Sequence, residues 1–163
     1  MLKRLVILTI VVMTLAAGCT DKGSQQGTLA ASDFSLQDTN GKTVRLSDQK
    51  GKVVLLEFWA TWCPPCRESV PGLEKLHKTY KDKGLVVLAV SMDVGGWDEV
   101  KSFVSERHIS YTVLKGTEDV ADAYRVRAIP MMMILNKEGN IAKRYLGMAS
   151  DEEVDADIKA LLE

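Results

Sequence analysis

The 163-residue sequence is short of soft metal ligands, with three cysteines and two histidines in all. A zinc site needs four donors, and His77 and His108 are the only candidates beyond one cysteine pair, with no second C-x-x-C. Excess charge is also lacking. Lys and Arg number 21 against 22 Asp and Glu, and no basic stripe stands ready to neutralise phosphates, which excludes a nucleic-acid binder. A long apolar run is missing too. The uncharged stretch Leu5 to Gly18 would extend about 21 Å as a helix, short of a ~30 Å hydrocarbon core. Internal repeats and low-complexity tracts are absent. What is present is an ordinary globular balance, 46% hydrophobic and 26% charged, sufficient for one compact domain with short extensions.

Lys3 and Arg4, the short apolar stretch and the small residues Ala16-Ala17-Gly18 together read as an export signal over residues 1–18. An uncleaved membrane anchor is the alternative. Leu15-Ala16-Ala17-Gly18-Cys19 resembles a bacterial lipobox, although Leu15 stands one place further from the cysteine than the usual pattern has it. That resemblance implies lipid attachment at Cys19, with a stray cysteine in the signal as the alternative. Acyl chains there would hold the protein at a membrane surface, facing the periplasm or other extracytoplasmic space. Residues 19–31 are mostly small and polar and read as the lipidated, flexible tether of a domain spanning 32–163. With Cys19 acylated, the remaining thiols form a single pair, Cys63 and Cys66. Outside the cytosol such a pair can cycle between disulfide and dithiol.

Phe34 and Leu36, the Asn40-Gly41 turn, then Val44 and Leu46 predict a hairpin. Val53 to Phe58 is an apolar run broken only by Glu57, the pattern of a strand buried on both faces. A helix is expected from Cys63 to Lys83, kinked at Pro71. Leu85–Met92 and Tyr111–Leu114 read as strands, Trp97–Arg107 as a helix, and Thr117 as the cap of another. Met131–Leu135 and Ile141–Leu146 pair antiparallel around Asn136–Gly139, and Ser150 to Glu153 is a capping box. The order ββ, βαβαβα, ββα predicts an α/β domain: a mixed central sheet flanked by helices, with an added N-terminal hairpin.

Two cysteines three apart at a helix start share one face of the first turn, with Cα atoms about 5–6 Å apart, suited to a disulfide. Pro64 and Pro65 are tolerated there because first-turn amides lack helical partners. The amides of Cys66 and Arg67 are expected to remain free and, with the helix dipole, to stabilise a Cys63 thiolate. Cys63 is then the solvent-facing attacker and Cys66 the resolving thiol. An inert cross-link is the bland alternative, yet so short a loop adds little stability.

Trp59-Ala60-Thr61-Trp62-Cys63-Pro64-Pro65-Cys66 resembles the active-site segment of the thioredoxin-like TlpA/ResA group of membrane-tethered thiol–disulfide oxidoreductases. Asp33–Leu36, Asn40-Gly41-Lys42, Leu46-Ser47-Asp48, Lys50-Gly51-Lys52, Ala128-Ile129-Pro130 and Asn136–Gly139 are similar to that group as well. The resemblance spans about residues 32 to 163. It implies a thioredoxin-like fold, with Pro130 as a cis-proline facing the disulfide and Ile129 offering its backbone to an incoming peptide. An ordinary strand-initiating proline is the alternative. Glu57 falls where thioredoxins carry a buried acid that shuttles the resolving thiol's proton; a solvated strand-end acid is the other reading. Many relatives instead have Asn at that position and Glu three residues after the second cysteine, where this chain has Ser69. Trp62 is expected to cover one side of the disulfide, while Trp59, Met131, Met132 and Met133 are assigned to the core and both histidines to solvent.

The predicted activity is protein thiol–disulfide exchange, as a reductant of exported proteins, with apocytochrome c among the substrates the resemblance implies. Its partners would be protein disulfides and a membrane redox protein that recharges the pair. A monomer is expected, with no cofactor and no metal. Thiol peroxidase chemistry, using Thr61 and Arg67 beside one cysteine, is the principal alternative. A copper chaperone is a third, though the cysteine spacing is one residue short for it.

Overall fold

The computed structural model describes residues 29–163. The expected signal peptide and the lipid-bearing Cys19 lie outside the described residues, as does most of the tether. Its last three residues do not hang free. Ala30 bridges to Asn140, the Ala31 amide donates to Gly139, and the Ile141 amide donates to Leu29. Composition gave no hint of this pairing, because it rests on backbone groups that any small residue supplies.

The hairpin consists of β1 (Ser35–Gln37) and β2 (Thr43–Arg45), antiparallel, with Gly41 supplying the positive φ of its turn. The main sheet then unfolds in chain order: β3 (Val53–Trp59), β4 (Leu85–Ser91), β5 (Thr112–Lys115), β6 (Met131–Leu135) and β7 (Ile141–Leu146). Its spatial order is β5-β4-β3-β6-β7. The pairs β3/β4 and β4/β5 are parallel, while β3/β6 and β6/β7 are antiparallel. The apolar run at β3 follows from this topology. That strand is central, and all seven of its residues are buried, Glu57 included.

Alternation along β3 splits the core in two. Val53, Leu55 and Trp59 face one layer, built by α1 (Pro64–Tyr80), α2 (Trp97–Glu106) and α4 (Asp151–Leu162). Val54, Leu56 and Phe58 face the other, with Phe34 and Leu36 of the hairpin region and Tyr124 at the end of α3 (Glu118–Ala123). Glu57 shares the parity of Leu55 and Trp59 and so belongs to the α1 side. The three expected core methionines are buried, and Trp59 packs on the Phe103 ring at 5.4 Å.

Local signals explain the helix ends. Thr117 and Ser150 accept from the amides of Val120 and Glu153 through their hydroxyls. In α1, Val70, Leu73, Leu76 and Tyr80 are buried as the spacing requires, while Pro71 lies on the exposed face of an unbroken helix. The α-helix stops at Tyr80 rather than Lys83. Lys81–Lys83 tighten into a 3-10 turn before left-handed Gly84. His77 departs from its solvated expectation. It is half-buried against the Tyr111 ring with its Nδ1 unpartnered, and burial lowers its pKa.

Candidate active site

Parallel strands β3 and β4 deliver their C-terminal ends to one pole of the sheet, and antiparallel β6 begins there. The chain leaving β3 turns at once into α1. The Cys63 amide donates to the Ala60 carbonyl at 3.2 Å, closing that turn. Cys63 then becomes the N-cap of α1, with Pro64 and Pro65 as the first helical residues. The sequence favours this geometry, since a proline's missing N–H costs nothing in the first turn of a helix, where amides lack helical partners.

Cys63 and Cys66 form a disulfide with Cα atoms 5.3 Å apart. Two expectations need correcting. The Arg67 amide is not free: it donates to the Cys63 carbonyl at 3.1 Å, as an N-cap carbonyl requires. The amide of Cys66 is therefore left to face the N-cap sulfur after reduction, where a capping oxygen would otherwise sit. Nor does Cys63 face solvent openly. It is 3% exposed and Cys66 0%, with Cys63 Sγ 3.9 Å from the carbonyl oxygen of Ile129. The neighbouring loop covers the sulfur, which a count along the chain could not reveal. No carboxylate occupies the first turn of α1 to oppose a thiolate.

The Ile129–Pro130 bond is cis, and Pro130 leads directly into β6. Ile129 is half-buried beside Cys63, and the Pro130 carbonyl accepts from the Gly147 amide at 2.9 Å. Trp62 stands 64% exposed at this pole. It borders an open groove of about 430 Å³ with Thr61, Arg67, Glu99, Phe103 and Arg107. Other large exposed apolar residues, Val94, Leu146 and Met148, follow or end strands at the same pole.

Glu57 is 1% exposed, and desolvation pushes its pKa from 4.5 up to about 8. The Ser69 hydroxyl, which can donate to the carboxylate at 2.8 Å, offsets part of that shift. The same hydroxyl is 2.8 Å from the Cys66 carbonyl, so it joins the acid to the backbone of the inner cysteine. A small cavity of about 40 Å³, bordered by Glu57, Ser69, Pro130 and Met132, lies beside them.

Sequence reasoning noted Ser69 only as a departure and missed Asp93 altogether. The Asp93 carboxylate accepts from the Thr61 amide and hydroxyl and from the Ser91 hydroxyl. This bears on peroxide chemistry, because the Thr61 hydroxyl is committed to Asp93 while Arg67 is exposed. Among the described residues no group of three or more His, Cys, Asp and Glu side chains is placed to hold a metal.

A C-x-x-C disulfide capping a helix, set against a cis-proline on a mixed sheet of this order, defines a thioredoxin-fold thiol–disulfide oxidoreductase. The chain belongs to the AhpC/TSA family, which it matches over residues 28–144. It is 38% identical over 135 residues to the thioredoxin-like protein YneN of Bacillus subtilis (strain 168), covering 82% of this chain and 78% of that one. With the thiol-disulfide oxidoreductase ResA of the same organism it shares 35% over 125 residues, 76% of this chain and 69% of ResA. Among solved structures, one assigned as the thiol:disulfide interchange protein DsbE of Chlorobium tepidum superposes with a TM-score of 0.79. The two are 31% identical, over 83% of this chain and 97% of that one. The exposed lipoprotein thioredoxin Etrx1 of Streptococcus pneumoniae gives 0.71 at 32% identity, covering 80% of this chain and all of its own.

Proposed function

We propose that the protein works as an extracytoplasmic, lipid-anchored reductant of protein disulfides. The observation that carries the reading is Cys63 at the N-cap of α1, with Cys66 one turn inside and a buried acid of raised pKa behind it. In the dithiol form, the Cys63 thiolate attacks a substrate disulfide. One substrate sulfur leaves as a thiolate, and a mixed disulfide remains on Cys63. Glu57, ionised, takes the proton of the Cys66 thiol. The Cys66 thiolate then attacks Cys63 Sγ, re-forms the disulfide and releases the second substrate sulfur, to which the proton returns. Two electrons pass to the substrate.

Trp62, Ile129 and Pro130 form the substrate-facing rim, with Ile129 offering backbone groups to an extended peptide. Export and anchoring rest on Lys3, Arg4, the apolar stretch and Cys19, and the likeness to an exposed lipoprotein thioredoxin supports them. Anchoring places a membrane dithiol donor within reach to recharge the pair, and the protein acts as a monomer. The resemblance to the TlpA/ResA group favours apocytochrome c cysteines as substrates.

Equilibration of the Cys63–Cys66 couple with glutathione tests the direction. A reductant has a potential below the roughly −200 mV region of the glutathione-buffered compartments, whereas a value near the ~−120 mV of strong oxidases would overturn the assignment. Mass analysis of the mature N-terminus, and release of a Cys19→Ala variant from membranes, test the anchor separately.

A further inference from the structure

The backbone ladder between β3 and β4 ends at Trp59 and Ser91, with the Met92 amide donating to the Trp59 carbonyl at 2.7 Å. Two residues further on, the Thr61 amide is met by a side chain instead. Both Asp93 carboxylate oxygens accept from it, at 3.2 and 3.1 Å. One of them takes the Thr61 hydroxyl at 2.5 Å and the other the Ser91 hydroxyl at 2.7 Å. The Asp93 amide donates back to the Ser91 hydroxyl at 3.2 Å, which fixes the carboxylate's own loop. Thr61 lies within the turn that the Cys63 amide closes on Ala60. A half-buried carboxylate thus holds one end of the segment whose other end is the attacking cysteine.

We propose that Asp93 is a positioning residue for thiol–disulfide exchange, latching Thr61 so that Cys63 stays aimed after the disulfide has opened. In the oxidised protein the sulfur–sulfur bond ties Cys63 to α1, and the latch is partly redundant. In the dithiol that tie is gone, and the Ala60–Cys63 turn alone orients the nucleophile. The latch and the disulfide order the same segment, so each lowers the entropy cost of the other. Removing the latch frees the dithiol more than the disulfide and moves the redox equilibrium toward the dithiol. A simple charge effect of Asp93→Ala has the same sign, because deleting a carboxylate near a thiolate favours the thiolate. Thr61→Val, which keeps the carboxylate, separates the two.

The experiment equilibrates wild type, Asp93→Ala and Thr61→Val with glutathione buffers at fixed pH and measures the melting temperature of each redox form. Asp93→Ala is expected to shift the equilibrium about tenfold toward the dithiol, about 30 mV for this two-electron couple. Its disulfide should lose more thermal stability than its dithiol. Thr61→Val, which keeps the carboxylate and removes one donor, should shift the equilibrium the same way by about threefold. It also provides the readout if Asp93→Ala does not fold. A shift in Asp93→Ala with none in Thr61→Val would reduce Asp93 to a charge effect and overturn the proposal, as would a shift toward the disulfide in either variant. An unmoved equilibrium with equal thermal losses in both forms would overturn it too, leaving a structural contact only.

Discussion

The Ser69 hydroxyl oxygen lies 2.8 Å from a carboxyl oxygen of Glu57, and it has a second acceptor, the Cys66 carbonyl, at the same distance. One hydroxyl has one proton and cannot satisfy both. When Glu57 is protonated the contest disappears: its O–H donates to Ser69, and Ser69 donates to Cys66. The ionised acid must instead draw the Ser69 proton to itself. Burial favours the protonated acid at neutral pH, and the Ser69 hydroxyl opposes it in part. Ser69→Ala removes a charge-assisted bond from the ionised form, about 1.5–3 kcal/mol, and a weaker one from the protonated form. The Glu57 pKa, already about 8, should rise by roughly one further unit. Single-turnover reduction of a protein disulfide reads this directly. The limb of the pH–rate profile set by Glu57 should move to higher pH in Ser69→Ala and vanish in Glu57→Gln. A limb unmoved in both would remove the acid from the mechanism.

The same burial links Glu57 to stability. Its pKa is 4.5 when solvated and about 8 in the fold, so the folded protein binds more protons between those values. The favourable contribution of the protonated carboxyl is fully present below about pH 4.5. It is lost as pH rises toward about 8, at up to about 1.4 kcal/mol per pH unit. Urea unfolding of the oxidised protein at several pH values should show the wild type falling relative to Glu57→Gln across that window. Subtracting the two curves cancels the other titrating groups, and parallel curves would mean that the carboxyl ionises as easily inside the fold as outside it.

What the sequence makes legible here is what the chain encodes locally. The apolar run at β3, the alternation of the hairpin, the hydroxyl caps at Thr117 and Ser150 and the cysteine spacing each act over a few residues. Glu57 was visible because a carboxyl in an otherwise apolar strand is a local anomaly. Ser69 and Asp93 were not. Each is an ordinary polar residue until tertiary structure sets it against a partner 12 or 32 positions away. The Arg67 amide is engaged because the N-cap carbonyl of Cys63 accepts from the N–H of the fourth residue on, which cysteine spacing alone does not show. Cys63 was expected in the open because the covering carbonyl of Ile129 arrives from 66 residues further along.

The two cysteines should separate cleanly under mutation. Cys63 caps α1 and meets the Ile129 carbonyl at the pole, while Cys66 is fully buried one turn inside. Cys63→Ser should lower turnover by at least about a thousandfold, because a hydroxyl at this position is not ionised near neutral pH. Cys66→Ser should keep the first attack and lose the second, so a mixed disulfide with the substrate accumulates on Cys63. Non-reducing electrophoresis and mass spectrometry would detect that adduct. Adducts forming instead on Cys66 in a Cys63→Ser variant, at wild-type rate, would reverse the assignment of roles.

Trp62 precedes the attacking cysteine and is 64% exposed, although an indole of that size is ordinarily buried. It belongs to neither core layer, so its loss should barely change the melting temperature. A protein substrate is different, since it must bring its disulfide to a sulfur that is only 3% exposed and must lie over the apolar rim to do so. Covering an exposed tryptophan at the centre of such a contact contributes on the order of 1–2 kcal/mol. Trp62→Ala should therefore lower kcat/KM for a protein disulfide by roughly five- to twentyfold, chiefly through KM. A small aromatic disulfide reaches the sulfur without covering the rim, so its rate should change less than about twofold. Equal losses for both substrates would place Trp62 in the chemistry of the sulfur itself, and no loss for either would leave it a surface residue of no consequence to exchange.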